Sequence, residues 1–152
     1  MALPNFFSKE VNEQIIQRIN SLTPETQAKW GTMNVAQMLA HCNVTYEMAY
    51  ENKHPKPNFL MKIILKAFVK NVVVSEKEYV HNSRTAPAFL ITDARVFEAE
   101  KSRLIAYLHK TAELGANYFD GKESHSFGAL NKTEWNNMFY KHIDHHLKQF
   151  GV

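Results

Sequence analysis

The chain has 152 residues, 45% of them hydrophobic and 22% charged, with a formal net charge of +3 when histidine is neutral. This is the composition of an ordinary globular protein, of a length that suits one domain spanning residues 1–152 around one core. The small positive balance carries no argument for a nucleic-acid partner.

The single cysteine, Cys42, excludes an internal disulfide and fits a reducing compartment. No stretch approaches the roughly 20 apolar residues that span a bilayer. The first residues lack the basic start and apolar run of a signal peptide. The expectation is a cytoplasmic protein with no membrane partner.

Helical periodicity runs through nearly the whole sequence. A first helix is predicted from Ser8 to Leu22, with Ser8 as N-cap and Val11, Ile15, Ile16 and Ile19 as its buried stripe. Thr23-Pro24 then forms a connector, and a second helix opens at Asn34, where Gln37 three residues on makes a capping-box start. Val35, Met38, Leu39, Cys42 and Tyr46 share one face of it, and the pattern breaks before Pro55. Cys42 reads as a buried, inert thiol.

The segment from Asn58 to Val74 is apolar almost all round, apart from Lys62, Lys66 and Lys70 at every fourth position. It reads as a helix buried on several sides, with the lysines as its solvated edge. A membrane-surface helix is the competing reading, and burial so extensive also points to a partner subunit, hence a homodimer. Residues 75–91 read as a polar, irregular loop. A third long helix is expected from Thr92 or Asp93 to about Gly115, with Phe97, Leu104, Ile105, Leu108 and Ala112 inward. After a loop containing Gly121, His125 and Gly128, Asn131 and Glu134 form a second capping box that opens the last helix. The predicted architecture is all-α: a four-helix bundle whose long crossover, between helices two and three, carries an extra helix.

The last helix holds the informative chemistry. At about 100° per residue from Trp135, His142 and His146 fall on the same face as Met138, Phe139 and Phe150. Two imidazoles in an apolar seam are costly unless satisfied, and i, i+4 side chains can converge on one divalent ion. Eight histidines in 152 residues give about 0.4 such pairs by chance, so spacing alone also fits a surface cluster or a core histidine bonded to a carbonyl. A third ligand is the deciding feature.

His41 lies inside Trp30-Gly31-Thr32-Met33-Asn34-Val35-Ala36-Gln37-Met38-Leu39-Ala40-His41. A tryptophan, a capped helix start and a histidine within that helix, followed by His142, His145-His146 and Gln149 in the last helix, resemble the DinB/YfiT-like superfamily. The Ser124-His125-Ser126-Phe127-Gly128 run and the closing His-His-Leu-Lys-Gln-Phe-Gly look more like one subfamily within it. The resemblance spans Trp30 to Gly151 and implies a DinB-type four-helix metalloenzyme. His41, His142 and His146 would be its metal ligands, with Gln149, His125 and His145 around them or in the pocket. On the wheel His41 stands about 120° from the centre of its helix's apolar face, beside Thr45 and Met48, a flank position that suits a ligand or a surface histidine alike.

Three imidazoles suit zinc, nickel or iron and leave room for water or substrate. A zinc-peptidase mechanism fails, because the general-base position after the first helix histidine is Ile143, and Asp144 points away. Superfamily relatives that transfer low-molecular-weight thiols imply a metal-dependent S-transferase that joins a thiol to a small electrophile, with Arg84 or His81 holding an acidic cosubstrate. The competing expectations are a non-catalytic helical protein that binds metal or a small ligand, and a vestigial site in a protein that acts through a dimer surface.

Overall fold

The computed structural model describes residues 2–152. It is mostly helical: α1 (Lys9–Asn20), α2 (Val35–Tyr50), α3 (Phe59–Phe68), α4 (Lys70–Val74), a 3-10 turn (Pro87–Phe89), α5 (Phe97–Phe119) and α6 (Lys132–Gln149). Local chemistry sets the starts of the long helices. Ser8 caps α1 by accepting from the Val11 amide. Asn34 with Gln37, and Asn131 with Glu134, form complete capping boxes on α2 and α6. Each cap satisfies backbone donors that helix geometry leaves orphaned.

α2 is the central element. It packs most extensively on α5, and also against α6 and the 3-10 turn. Burial therefore extends well beyond the predicted apolar stripe, to take in Ala36, Ala40, His41, Asn43, Thr45 and Glu47. An aromatic core lies between the helices. Phe6 stacks on Phe139 at 5.3 Å, Phe7 on Phe119 at 5.3 Å, and Tyr46 lies parallel to Phe139 at 5.4 Å. Asn136 Oδ1 accepts from the Phe6 amide at 2.7 Å and so holds the segment before α1 against α6.

The structure departs from the sequence reading in four places. An all-α chain was expected, yet β1 (Lys122–Ser124) and β2 (Gly128–Leu130) form an antiparallel hairpin with Ser124 opposite Gly128. Ser124 Oγ clamps its turn, accepting from the Phe127 amide at 2.9 Å and donating to the Gly128 carbonyl at 2.7 Å. Strands of three residues are too short to leave a visible alternation. α5 begins at Phe97, after the expected Thr92 or Asp93, and passes beyond Gly115, which takes φ 72° and interrupts the helix before it resumes to Phe119. The crossover carries two helices, not one, meeting at Val69.

The fourth departure is the orientation of α3. It is not buried on several sides: none of its residues is buried and most of its apolar side chains are open, while Lys62 is half-buried and Lys66 exposed. Lys62 pairs with Glu123 at 2.6 Å, and Lys70, at the start of α4, pairs with Glu134 at 2.8 Å, so these two lysines are tied to the rest of the protein while Lys66 stays exposed. Among the described residues no helix is long and apolar enough to cross a membrane.

Lys141 ties the end of the crossover to α6. Buried, with no carboxylate against it, its ammonium donates to the carbonyls of Val72 at 2.6 Å and Ser75 at 2.7 Å and sits 4.6 Å from the Tyr79 ring centre. Burial lowers its pKa to about 8. Replacing Lys141 by Met should leave those carbonyls unsatisfied and destabilise the protein by about 1–3 kcal/mol. Urea denaturation would read the loss, and hydrogen exchange should accelerate first over residues 70–80. An unchanged midpoint and exchange pattern would contradict this role.

Candidate metal centre

The side chains of His41, His142 and His146 meet between α2 and α6. Each offers one ring nitrogen, and these atoms lie within 4.8 Å of one another. The ring centroids are 4.4–5.0 Å apart. His41 is only 5% exposed in spite of its flank position, because α2 is covered on nearly every side. His142 Nε2 stands 3.0 Å from His41 Nε2.

Outer hydrogen bonds orient all three rings. His41 Nδ1 donates to the Phe89 carbonyl at 2.8 Å, which leaves Nε2 as the unprotonated atom. His146 Nδ1 donates to Gln149 Oε1 at 2.8 Å, with the same consequence. The amide of Gln149 is itself fixed, since its Nε2 donates to the Trp30 carbonyl at 2.7 Å and so turns Oε1 toward His146. Gly31 permits that approach: a Cβ there would stand 2.5 Å from Gln149 Nε2, and its φ is +82°.

His142 Nδ1 lies 3.1 Å from Thr45 Oγ1. A hydroxyl can donate or accept. If Thr45 donates, the His142 Nε2–H bridges to His41; if it accepts, all three Nε2 lone pairs point inward. A tetrahedral ion with bonds of about 2.0–2.1 Å spaces its nitrogens about 3.3 Å apart; His41 and His142 stand near that spacing at 3.0 Å, and all three nitrogens lie within 4.8 Å. The donor set therefore fits a divalent metal ion. Among the described residues no carboxylate joins it.

The trio opens on a cavity of about 880 Å³, whose walls include Met33, Met48, Leu65, Phe127, Trp135 and Met138. His145 and His125 also line it. His145 stays outside the trio and packs edge-on against Trp30, Tyr79 and His146. His125 lies in the hairpin turn, bonded to Ser126 Oγ at 2.9 Å and the His54 carbonyl at 3.3 Å. Arg84 belongs to the cavity wall, whereas His81 is taken up in stacking on Trp30 at 3.7 Å. Asp144 faces elsewhere, paired with Arg18 and Lys148. Cys42 is fully buried beside Met38, and burial raises its thiol pKa far out of the reactive range.

Sequence reasoning did not single out Thr45, Gly31 or the Phe89 carbonyl. Thr45 follows His41 by one turn, so its shared face was a usable signal. A backbone carbonyl from a loop leaves none.

Burial, then the neighbouring imidazoles, push these histidines below their ordinary range, His142 strongly and His146 to about 3; burial also lowers His41, against the opposing hydrogen bond to Phe89. In the unfolded chain a histidine takes up a proton near pH 6.5, whereas folded His146 stays neutral to about pH 3. The unfolded state thus binds more protons through that window, and stability falls as pH drops below 6.5. Chelator-treated protein should lose up to about 1.4 kcal/mol per pH unit from this one site. Urea denaturation between pH 6.5 and 5 measures it, and His146→Gln should flatten the slope. Identical slopes would refute the assignment.

Comparison with known proteins adds a family. The family described as "Protein of unknown function (DUF1569)" matches residues 8–151, a span that contains all three histidines together with Trp30, Gly31, Thr45 and Gln149. No curated protein and no solved structure matches the chain. With the match running from the cap of α1 to the end of α6, the chain belongs to the DUF1569 family.

Proposed function

We propose that His41, His142 and His146 hold a divalent metal ion, zinc, nickel or iron, in a four-helix bundle of DinB type built from α1, α2, α5 and α6. The protein would act there as a metal-dependent S-transferase that joins a low-molecular-weight thiol to a small electrophile. The observation that carries this reading is the convergence of three oriented imidazole nitrogens on an open cavity.

The chain's own residues support the division of labour. Phe89, Thr45 and Gln149 hold the three rings in place, a type of outer contact that strengthens ligands and fixes their tautomers. Neutral imidazoles leave the charge of a bound cation uncompensated. When bound, such an ion supplies Lewis acidity that favours the thiolate form of a thiol. The position after the first histidine of α6 is the apolar Ile143, and Asp144 is engaged by Arg18 and Lys148, so neither supplies a general base. That favours chemistry in which the bound thiol is itself the nucleophile. The methionines and aromatics of the cavity wall would receive an apolar electrophile and exclude water, while Arg84 offers a positive charge to an acidic cosubstrate.

Elemental analysis of protein made without a polyhistidine tag should find about one divalent ion per chain. His41→Ala, His142→Ala and His146→Ala should each remove it. Gln149→Leu should weaken metal affinity by about 10–100-fold while the fold is kept. Metal-loaded protein should consume a thiol in the presence of an electrophile such as a haloalkane or epoxide, and stripped protein should not. Unchanged occupancy in His41→Ala would defeat the three-histidine assignment. A full metal site with no thiol consumption would defeat the transferase and leave a metal-binding protein.

A further inference from the structure

α3 lies on the protein the wrong way round for an ordinary surface helix. Two ion pairs tether the crossover, Lys62 of α3 to Glu123 at 2.6 Å and Lys70 of α4 to Glu134 at 2.8 Å. Half-buried Leu65 and, beyond the end of the helix, Val69 contribute to the cavity wall, although Val69 is still 37% exposed. The remaining apolar side chains are left in water: Phe59 is 81% exposed, Phe68 77% and Leu60 67%, with Ile63, Ile64 and Val72 also open.

At roughly 150–200 Å² for a large side chain, these six leave about 700 Å² of apolar surface exposed. That exceeds the few hundred square ångströms usual for a monomer's largest patch. It is close to the ~800 Å² that each partner contributes to a standard stable interface. Between the two exposed phenylalanines, Leu60, Ile63, Ile64 and the small Ala67 form an exposed strip along the helix. Their i, i+3, i+4, i+7 spacing is that of a helix-packing seam, and Ala67 lets a second backbone come close.

From this geometry we infer that α3 is the interface through which two copies of this chain form a closed dimer, α3 packing on its symmetry mate. An isologous contact brings the same patch from both copies and satisfies both apolar faces at once. Ion pairing favours a second copy over a membrane surface as the occupant. A helix that lies in a lipid interface presents lysines to phosphate groups, whereas Lys62 and Lys70 are paired with glutamates of their own chain and only Lys66 of the three is left exposed. Like-charge repulsion between two copies is reduced by the same pairing. Pairing would also brace the cavity wall that Leu65 and Val69 provide from the opposite side of the helix. The inference does not rest on the metal reading.

Sedimentation and light scattering of the full, untagged chain across the micromolar range should give twice the chain mass. Leu60→Glu with Ile64→Glu should raise the dimer dissociation constant by about 100-fold or more. Ala67→Arg, a change at an exposed position that removes no packed atom, should do the same with an unchanged circular dichroism spectrum. If the double variant fails to fold, Ala67→Arg decides alone. A wild-type monomer at tens of micromolar overturns the proposal, and so does a folded Ala67→Arg protein that remains a dimer. Monomeric protein that sediments with vesicles of phosphatidylcholine and one-quarter phosphatidylserine would assign the face to a membrane and overturn it too.

Discussion

The organisation of this protein turns on three imidazoles buried in one seam. Desolvation opposes charging any of them, and each additional proton would repel the other two. They are therefore held neutral, with nitrogens close together and few ways to satisfy all of them at once. Ring-to-ring hydrogen bonding can satisfy one contact, that between His41 and His142. Nitrogen lone pairs aimed at a common point are fully satisfied only by a cation.

The seam draws on five separate stretches of chain. α2 brings His41 and Thr45, and α6 brings His142, His146 and Gln149. The turn before α2 brings the Trp30 carbonyl and Gly31, the 3-10 turn brings Phe89, and the hairpin brings His125 to the cavity wall. Because each ring is fixed by a different segment, loosening any one of them misaligns a donor without unfolding the aromatic core beneath. The loop over residues 75–92 is consequently part of the site and not a mere connector: its Phe89 carbonyl sets the tautomer of His41.

The crossover shows how a few ion pairs can override amphipathic expectation. A helix normally hides its apolar stripe and solvates its lysines. In α3 the apolar residues far outnumber what one short helix can bury against this surface, and glutamates on the hairpin and α6 hold Lys62 and, at the start of α4, Lys70, while Lys66 stays exposed. Individually such exposed pairs are weak. They act on orientation, by tying two of the lysines to the rest of the protein.

The starts of α1, α2 and α6 were determined by sequence alone, because a cap is a contact between residues three apart and needs no tertiary context. The same holds for His142 and His146, whose proximity follows from helical pitch. Periodicity also marked Ile15, Ile19, Leu104 and Leu108 as core. It failed for His41, since a wheel measures angle from one apolar stripe, and α2 is enclosed from nearly all directions. Only the tertiary structure decided that His41 meets the other two across 101 residues of sequence, that Phe89 bonds it, and that Gly31 must lack a side chain so that Gln149 can approach. It likewise decided that α3 turns its apolar side outward, because Glu123 and Glu134 lie more than 60 positions away from the lysines they hold. Caps and pitch are written in neighbouring residues, whereas convergence between segments depends on how whole helices pack.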